Sequence, residues 1–196
     1  NTAVGDLALR QLKTSTASTY NTAVGRSSQR GPNNEAQFHT GERNTSVGAG
    51  SMKVITTGND NTAVGYWSQY GASITGDFNT SVGSNSLKNL VSGDKNISVG
   101  HEAGDVITSG SNNVIIGTGS DPSASSASNQ TVIGYGATGQ ADNSVTLGNA
   151  DVTDIYMAQD KGATVHAAGA DLSGSTGLIL ENDETITNST DGTVLI

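Results

Sequence analysis

Asn61-Thr62-Ala63-Val64-Gly65 decides how the whole chain is read, because close copies of it recur along most of the sequence. Asn1-Thr2-Ala3-Val4-Gly5, Asn21-Thr22-Ala23-Val24-Gly25, Asn44-Thr45-Ser46-Val47-Gly48 and Asn79-Thr80-Ser81-Val82-Gly83 are near-identical. Looser copies end at Gly100, Gly117, Gly134 and Gly148. Successive motif glycines lie 20, 23, 17, 18, 17, 17, 17 and 14 residues apart. A period this short belongs to stacked units, each too small to bury a core alone. The pattern predicts an all-β fold, a parallel β-roll or β-solenoid of about nine rungs over residues 1–148.

The residue before each motif glycine is aliphatic in every copy, from Val4 to Leu147. Two positions before that aliphatic comes Thr in six copies and Ile97, Val114 or Val145 in the rest. Alternate strand residues share a face, so these two files are expected to line the solenoid interior. The residue between them is never charged. Ile115 and Val132 at that position would be costly to leave in water. The second wall is therefore expected to be covered by a partner subunit, with Ala3, Ala23, Ser46, Ala63, Ser81, Ser98, Ile115 and Val132 as the trimer contact.

Three residues after the glycine a small residue recurs, from Ala8 and Ser28 to Ser120 and Ala137, with Asp151 as the exception. This spacing predicts a tight corner packed on the rungs above and below. Short apolar segments follow, such as Val54-Ile55-Thr56-Thr57-Gly58 and Val106-Ile107-Thr108-Ser109-Gly110. Two short strands per turn of about 17 residues, joined by glycine-rich bends, are the expectation. The polar stretch Arg30-Gly31-Pro32-Asn33-Asn34 reads as an insert looping from one side. After Gly148 the period is lost, and residues 149–196 read as a neck and stalk of intertwined strands, too poor in apolar residues to fold alone. The chain opens at Asn1 inside a repeat, which is the expectation for a piece of a longer protein.

Leu, Ile, Val and Phe make up only about a fifth of the 196 residues, near the composition of disordered chains. Periodicity overrules composition here, since stacking joins the few apolar residues into one column. Nine Lys and Arg against 18 Asp and Glu, with no basic cluster, argue against binding a nucleic-acid backbone. No apolar run reaches membrane-spanning length, so no membrane insertion is expected. Without cysteine there are neither disulfide staples nor thiolate metal ligands.

Thr131-Val132-Ile133-Gly134-Tyr135-Gly136-Ala137, followed by Asn143-Ser144-Val145-Thr146-Leu147-Gly148, resembles the head repeat of trimeric autotransporter adhesins. The earlier NTAVG turns, with Thr-Gly ahead of Asn, look more like repeats of bacteriophage tail fibres. The resemblance covers about residues 1–156. Turns of 17 rather than about 14 residues, and the lack of coiled-coil heptads, depart from the adhesin pattern and favour a fibre. The adhesin heads imply a left-handed roll, and both families imply a homotrimer, exposure outside the cell or on a virion, and adhesion to a cell-surface glycan or protein. Neither carries over a catalytic residue.

Candidate chemistry is sparse. His101-Glu102-Ala103-Gly104-Asp105 has Asp where a zinc-protease helix needs its second His, so a solvated turn is expected. Asp60, Asp77 and Asp94 recur just ahead of the strand and are the candidates for a calcium column, although acids also suit such turns for conformational reasons. Tyr66, Trp67 and Tyr70 form the one aromatic cluster, able to stack on a sugar or anchor a partner, or simply to pack between rungs. The Asn-Thr-Ser and Asn-Ile-Ser sequons are by-products of the repeat. No catalytic residue and no cofactor are expected. The function that follows is a structural fibre segment bearing a receptor-binding or adhesive surface. The rivals are an ice- or glycan-binding solenoid, which needs the threonine file on an outer face, and a polysaccharide depolymerase, which needs paired carboxylates across a groove.

Overall fold

A computed structural model describes residues 1–10, 18–32 and 39–157. Each motif forms one three-residue strand: β1 Thr2–Val4, β2 Thr22–Val24, β3 Thr45–Val47, β4 Thr62–Val64, β5 Thr80–Val82, β6 Ile97–Val99, β7 Val114–Ile116, β8 Thr131–Ile133 and β9 Val145–Leu147. They make a single sheet in chain order, every pair parallel. The pairing sets like on like, for example Thr62 on Thr80, Ala63 on Ser81 and Val64 on Val82. The chain is thus a β-solenoid of about eight turns, with no helix among the described residues. Its compact unit spans Asn1–Asp154, and eight intervals at about 4.8 Å each give it a length of roughly 38 Å. The expected neck and stalk lies, from residue 158 onward, outside the described residues.

The second flank differs from expectation. Instead of a second strand per turn it shows isolated parallel bridges, Ile55 with Ile74, Ser111 with Ser128, and Asp121 with Thr138. Rung-to-rung backbone bonds persist there, as from Thr56 N–H to Ile74 O and from Val91 N–H to Thr108 O, but too sparsely to make a ladder.

The facing of the strand is the reverse of that predicted. The central residue points inward: Ala23, Ser46, Ala63, Ser81, Ser98, Ile115 and Val132 are fully buried within the chain's own turns. The threonine and aliphatic files that flank it point outward. The expected trimer contact is therefore corrected. Those seven side chains are enclosed and unavailable to a partner, and only Ala3, on the terminal rung, is exposed. The reason is the thinness of the turn. In the early rungs the small residue three places after the glycine meets the next rung's central residue across the corner, and there both are short. Ser68 Oγ lies 2.7 Å from Ser81 Oγ, Ser51 Oγ donates to Ala63 O at 3.0 Å, and Ser28 Oγ hydrogen-bonds Ser46 Oγ.

The apolar core comes from the other side of the turn. Met52, Ile55 and Ile74 cluster with Ala63, and Leu87, Leu90 and Ile107 cluster with Ile115, Val132, Ala103 and Ala137. Where the second flank turns polar, at Ser120-Asp121-Pro122-Ser123, the strand supplies the volume itself through Ile115 and Val132. Large and small thus trade places across the interior, as close packing requires.

The motif asparagine holds rung to rung. Asn61 Oδ1 accepts the backbone N–H of Asn79 at 2.8 Å, and Asn79 Oδ1 accepts that of Asn96 at 2.9 Å. Asn61 Nδ2 donates to Gly76 O, and Asn79 Nδ2 to Gly93 O, both at 2.8 Å. The column runs from Asn1 through Asn21, Asn44, Asn61, Asn79, Asn96 and Asn113 to Gln130. The residue before each asparagine takes a left-handed conformation, from Tyr20 to Asn143 with φ between 54 and 62°. That backbone is unfavourable for a side chain, and the N–H it frees is caught by the preceding rung, as Asp60 N–H by Glu42 O at 3.0 Å. The motif glycine is held at positive φ as well. At Gly65, with φ +137°, an added Cβ would come within 2.6 Å of the Gly83 carbonyl carbon, so no other residue fits the stack.

Candidate functional site

Two surfaces stand out on this scaffold. The first is the outer face of the sheet. Val47, Val64, Val82, Val99, Ile116 and Ile133 are each between 37 and 39% exposed and stand directly above one another. Beside them runs the file Thr45, Thr62, Thr80, Ile97, Val114 and Thr131, half-buried except for the more exposed Ile97. Neither file holds a charge. In-register parallel pairing repeats the face at the rung spacing. Its margins are polar or aromatic: Arg43, Asp60, Phe78 and Lys95 on one side, Tyr66, Ser84 and His101 on the other. An apolar centre with a polar rim is the anatomy of a protein contact surface.

The second is the aromatic cluster on rung four. Tyr66 and Trp67 stack with centroids 4.7 Å apart and planes 18° from parallel. Trp67 and Tyr70 meet at 5.0 Å with a 38° tilt. The preceding rung makes room, since a Cβ on Gly50 would come within 2.6 Å of the indole. Lys53 Nζ donates to Tyr70 Oη at 2.9 Å and sits 5.1 Å over that ring, while Lys88 Nζ stands 5.6 Å from the Trp67 ring. Arg26, Ser27, Ala49, Gly50, Lys53, Tyr66 and Trp67 line a cleft of about 120 Å³.

The proposed calcium ligands fall into separate roles. Asp77 Oδ1 accepts Asn59 N–H at 2.7 Å, and Asp94 Oδ1 accepts Asp77 N–H at 2.8 Å, so these acids tie one rung's backbone to the next. Asp60 lies one file over and takes a bidentate ion pair from Arg43 at 2.7 and 2.8 Å. That hydrogen bond from Arg43 pulls the Asp60 carboxyl below its ordinary range. No group of three His, Cys, Asp or Glu able to hold a metal occurs among the described residues. The turn acids thus converge on backbone and arginine rather than on one point.

Of the described histidines, His101 is exposed beside Glu102, 3.7 Å away. His39 is buried, with Nδ1 3.1 Å from Ser18 Oγ, and burial lowers it to about 4. At one corner Asp105 and Asp121 are both pushed above the usual carboxylate range, first by burial. The asparagine column was missed from sequence because asparagine reads as a turn residue. Its signal was the recurrence of one side chain at one position over seven rungs, which a generic turn does not demand. Comparison with protein-family models, curated proteins and solved structures found no significant match. No helix among the described residues is long and apolar enough to cross a membrane.

Proposed function

We propose that this chain is the shaft of a homotrimeric extracellular fibre, and that three copies pack their outer sheet faces about a common axis to project an adhesive surface. The observation that carries the reading is the uncharged outward aliphatic file, Val or Ile on eight rungs and Leu147 on the ninth. Such a stripe left in water is costly, and a contiguous apolar patch marks an interaction surface. A copy of the same chain fits it because both faces share one repeat, so every rung meets an equivalent rung in a closed ring. The resemblance to fibre repeats points the same way. A β-solenoid is a suitable shaft, since its ladders run along the axis and each rung braces the next.

The outward threonine file also favours a second reading, binding to ice or another crystal lattice, because the files are in register from rung to rung. Against it, the partner file is aliphatic throughout, and Ile97, Val114 and Val145 interrupt the threonines. Light scattering on the 19.8 kDa chain separates the two. A mass three times that of one chain is expected at micromolar concentration. A monomer that produces thermal hysteresis would replace the fibre with the lattice-binding reading.

A further inference from the structure

We propose that the cleft beside Tyr66 and Trp67 binds an anionic sugar, a pyranose carrying a carboxylate or sulfate. The chain is strongly acidic, with only nine Lys and Arg, yet Arg26, Lys53 and Lys88 gather around its one aromatic cluster. Arg26 and Lys53 form no ion pair among the described residues. Arg26 is exposed and free to reach an anion, and Lys53 keeps donors beyond the one given to Tyr70. Lys88 lies within electrostatic reach of Asp105, so it is the weakest of the three as a ligand group.

Tyr66 supplies the platform. Its ring is 49% exposed and is backed by the indole, which fixes its plane. A flat, rigid ring with cationic donors at its edge suits a sugar face and an acidic substituent. A peptide fits less well. The cleft holds no aliphatic socket larger than Ala49, and neighbouring rungs already occupy both edges of β4, so no strand can be added there. The cleft is small beside typical ligand pockets, so each site takes about one ring and binds weakly. Its use in adhesion rests on the fibre reading, because three copies on one shaft turn weak sites into avid attachment. The site itself belongs to a single chain.

Trp67 is the sole tryptophan and lines the cleft, so its emission reports occupancy directly. The full chain is titrated with a heparin hexasaccharide for sulfate, a hexagalacturonate for carboxylate, maltohexaose as the neutral sugar and hexaglutamate as the acidic peptide. Saturable change is expected with one or both acidic sugars, with a dissociation constant between about 0.1 and 10 mM, and with neither control. Whichever acidic sugar responds identifies the anion. Tyr66→Ala and Arg26→Ala, both at exposed side chains, are each expected to weaken binding at least tenfold while circular dichroism and solution mass stay unchanged. No saturation by either acidic sugar, equal response to maltohexaose or hexaglutamate, or indifference to Tyr66→Ala would overturn the site. Mass on the same samples keeps the readings apart: a trimer that ignores acidic sugars sinks only the site, and a monomer that binds them sinks only the trimer.

Discussion

Asn79 does two jobs with one side-chain amide: its Oδ1 accepts Asn96 N–H and its Nδ2 donates to Gly93 O, while its backbone N–H donates to Asn61 Oδ1. Replacing it with alanine leaves a buried donor and a buried acceptor without partners, each costing about 1–3 kcal/mol. Asn79→Ala is expected to lower unfolding free energy by about 2–5 kcal/mol in chemical denaturation. A loss below 1 kcal/mol would mean that water replaces the amide. His39 makes a second prediction at this scale. Its folded value of about 4 lies below the ordinary 6.5 because burial disfavours the cation. The unfolded chain therefore binds the proton first, and stability falls as pH drops from about 6.5 to about 4, by up to about 3 kcal/mol. The difference between wild type and His39→Gln, measured from pH 7 to 4, should show that slope. Parallel curves would place the imidazole in contact with solvent.

The strand is the element in which sequence and structure part company. Its position, length and parallel stacking were legible, because the glycine and the small corner residue recur at fixed spacing. Which way it faces was not. With only three residues, a strand has one side chain on one face and two on the other, and period-two alternation is the same whichever face is inside. Assigning the aliphatics to the interior follows the usual rule for a half-buried sheet, and that rule fails when the outer face is itself apolar. The residues that could have settled it were Ser28, Ser51, Ser68 and Ser86, whose small size implies a narrow corner that accepts only Ala or Ser opposite. Of the candidate site, the aromatic cluster was legible as a group in sequence. The cations were not, since Arg26 and Lys53 reach it from two rungs and one rung away. The corrected facing changes what a charge does. Ala63→Lys forces an ammonium into a fully buried position, so it is expected to disrupt the fold, seen as lost β-sheet circular dichroism at 25 °C. An intact spectrum would return Ala63 to a surface.

At the scale of the molecule, the shaft is a stack whose buried polar groups find partners between rungs, except Gln29 Oε1, His39 Nε2, Gln69 Oε1 and Asn85 Oδ1 among the described residues, while its outer aliphatic file has no cover. Buried amides, serine hydroxyls and backbone groups are tied from rung to rung, and the core clusters close within one chain. The exposed aliphatic file is the unmet demand of the outer face, and a trimer meets it without altering any rung. Charge placed on that file should therefore separate subunits and spare the fold, the opposite of charge at Ala63. The deciding measurement is the solution mass, by light scattering, of Val64→Lys/Val82→Lys/Val99→Lys beside the wild type, with circular dichroism on both. The account predicts a wild-type trimer and a variant reduced to the mass of one chain with an unchanged spectrum. A variant that stays trimeric, or a wild type that is already a single chain, would contradict it.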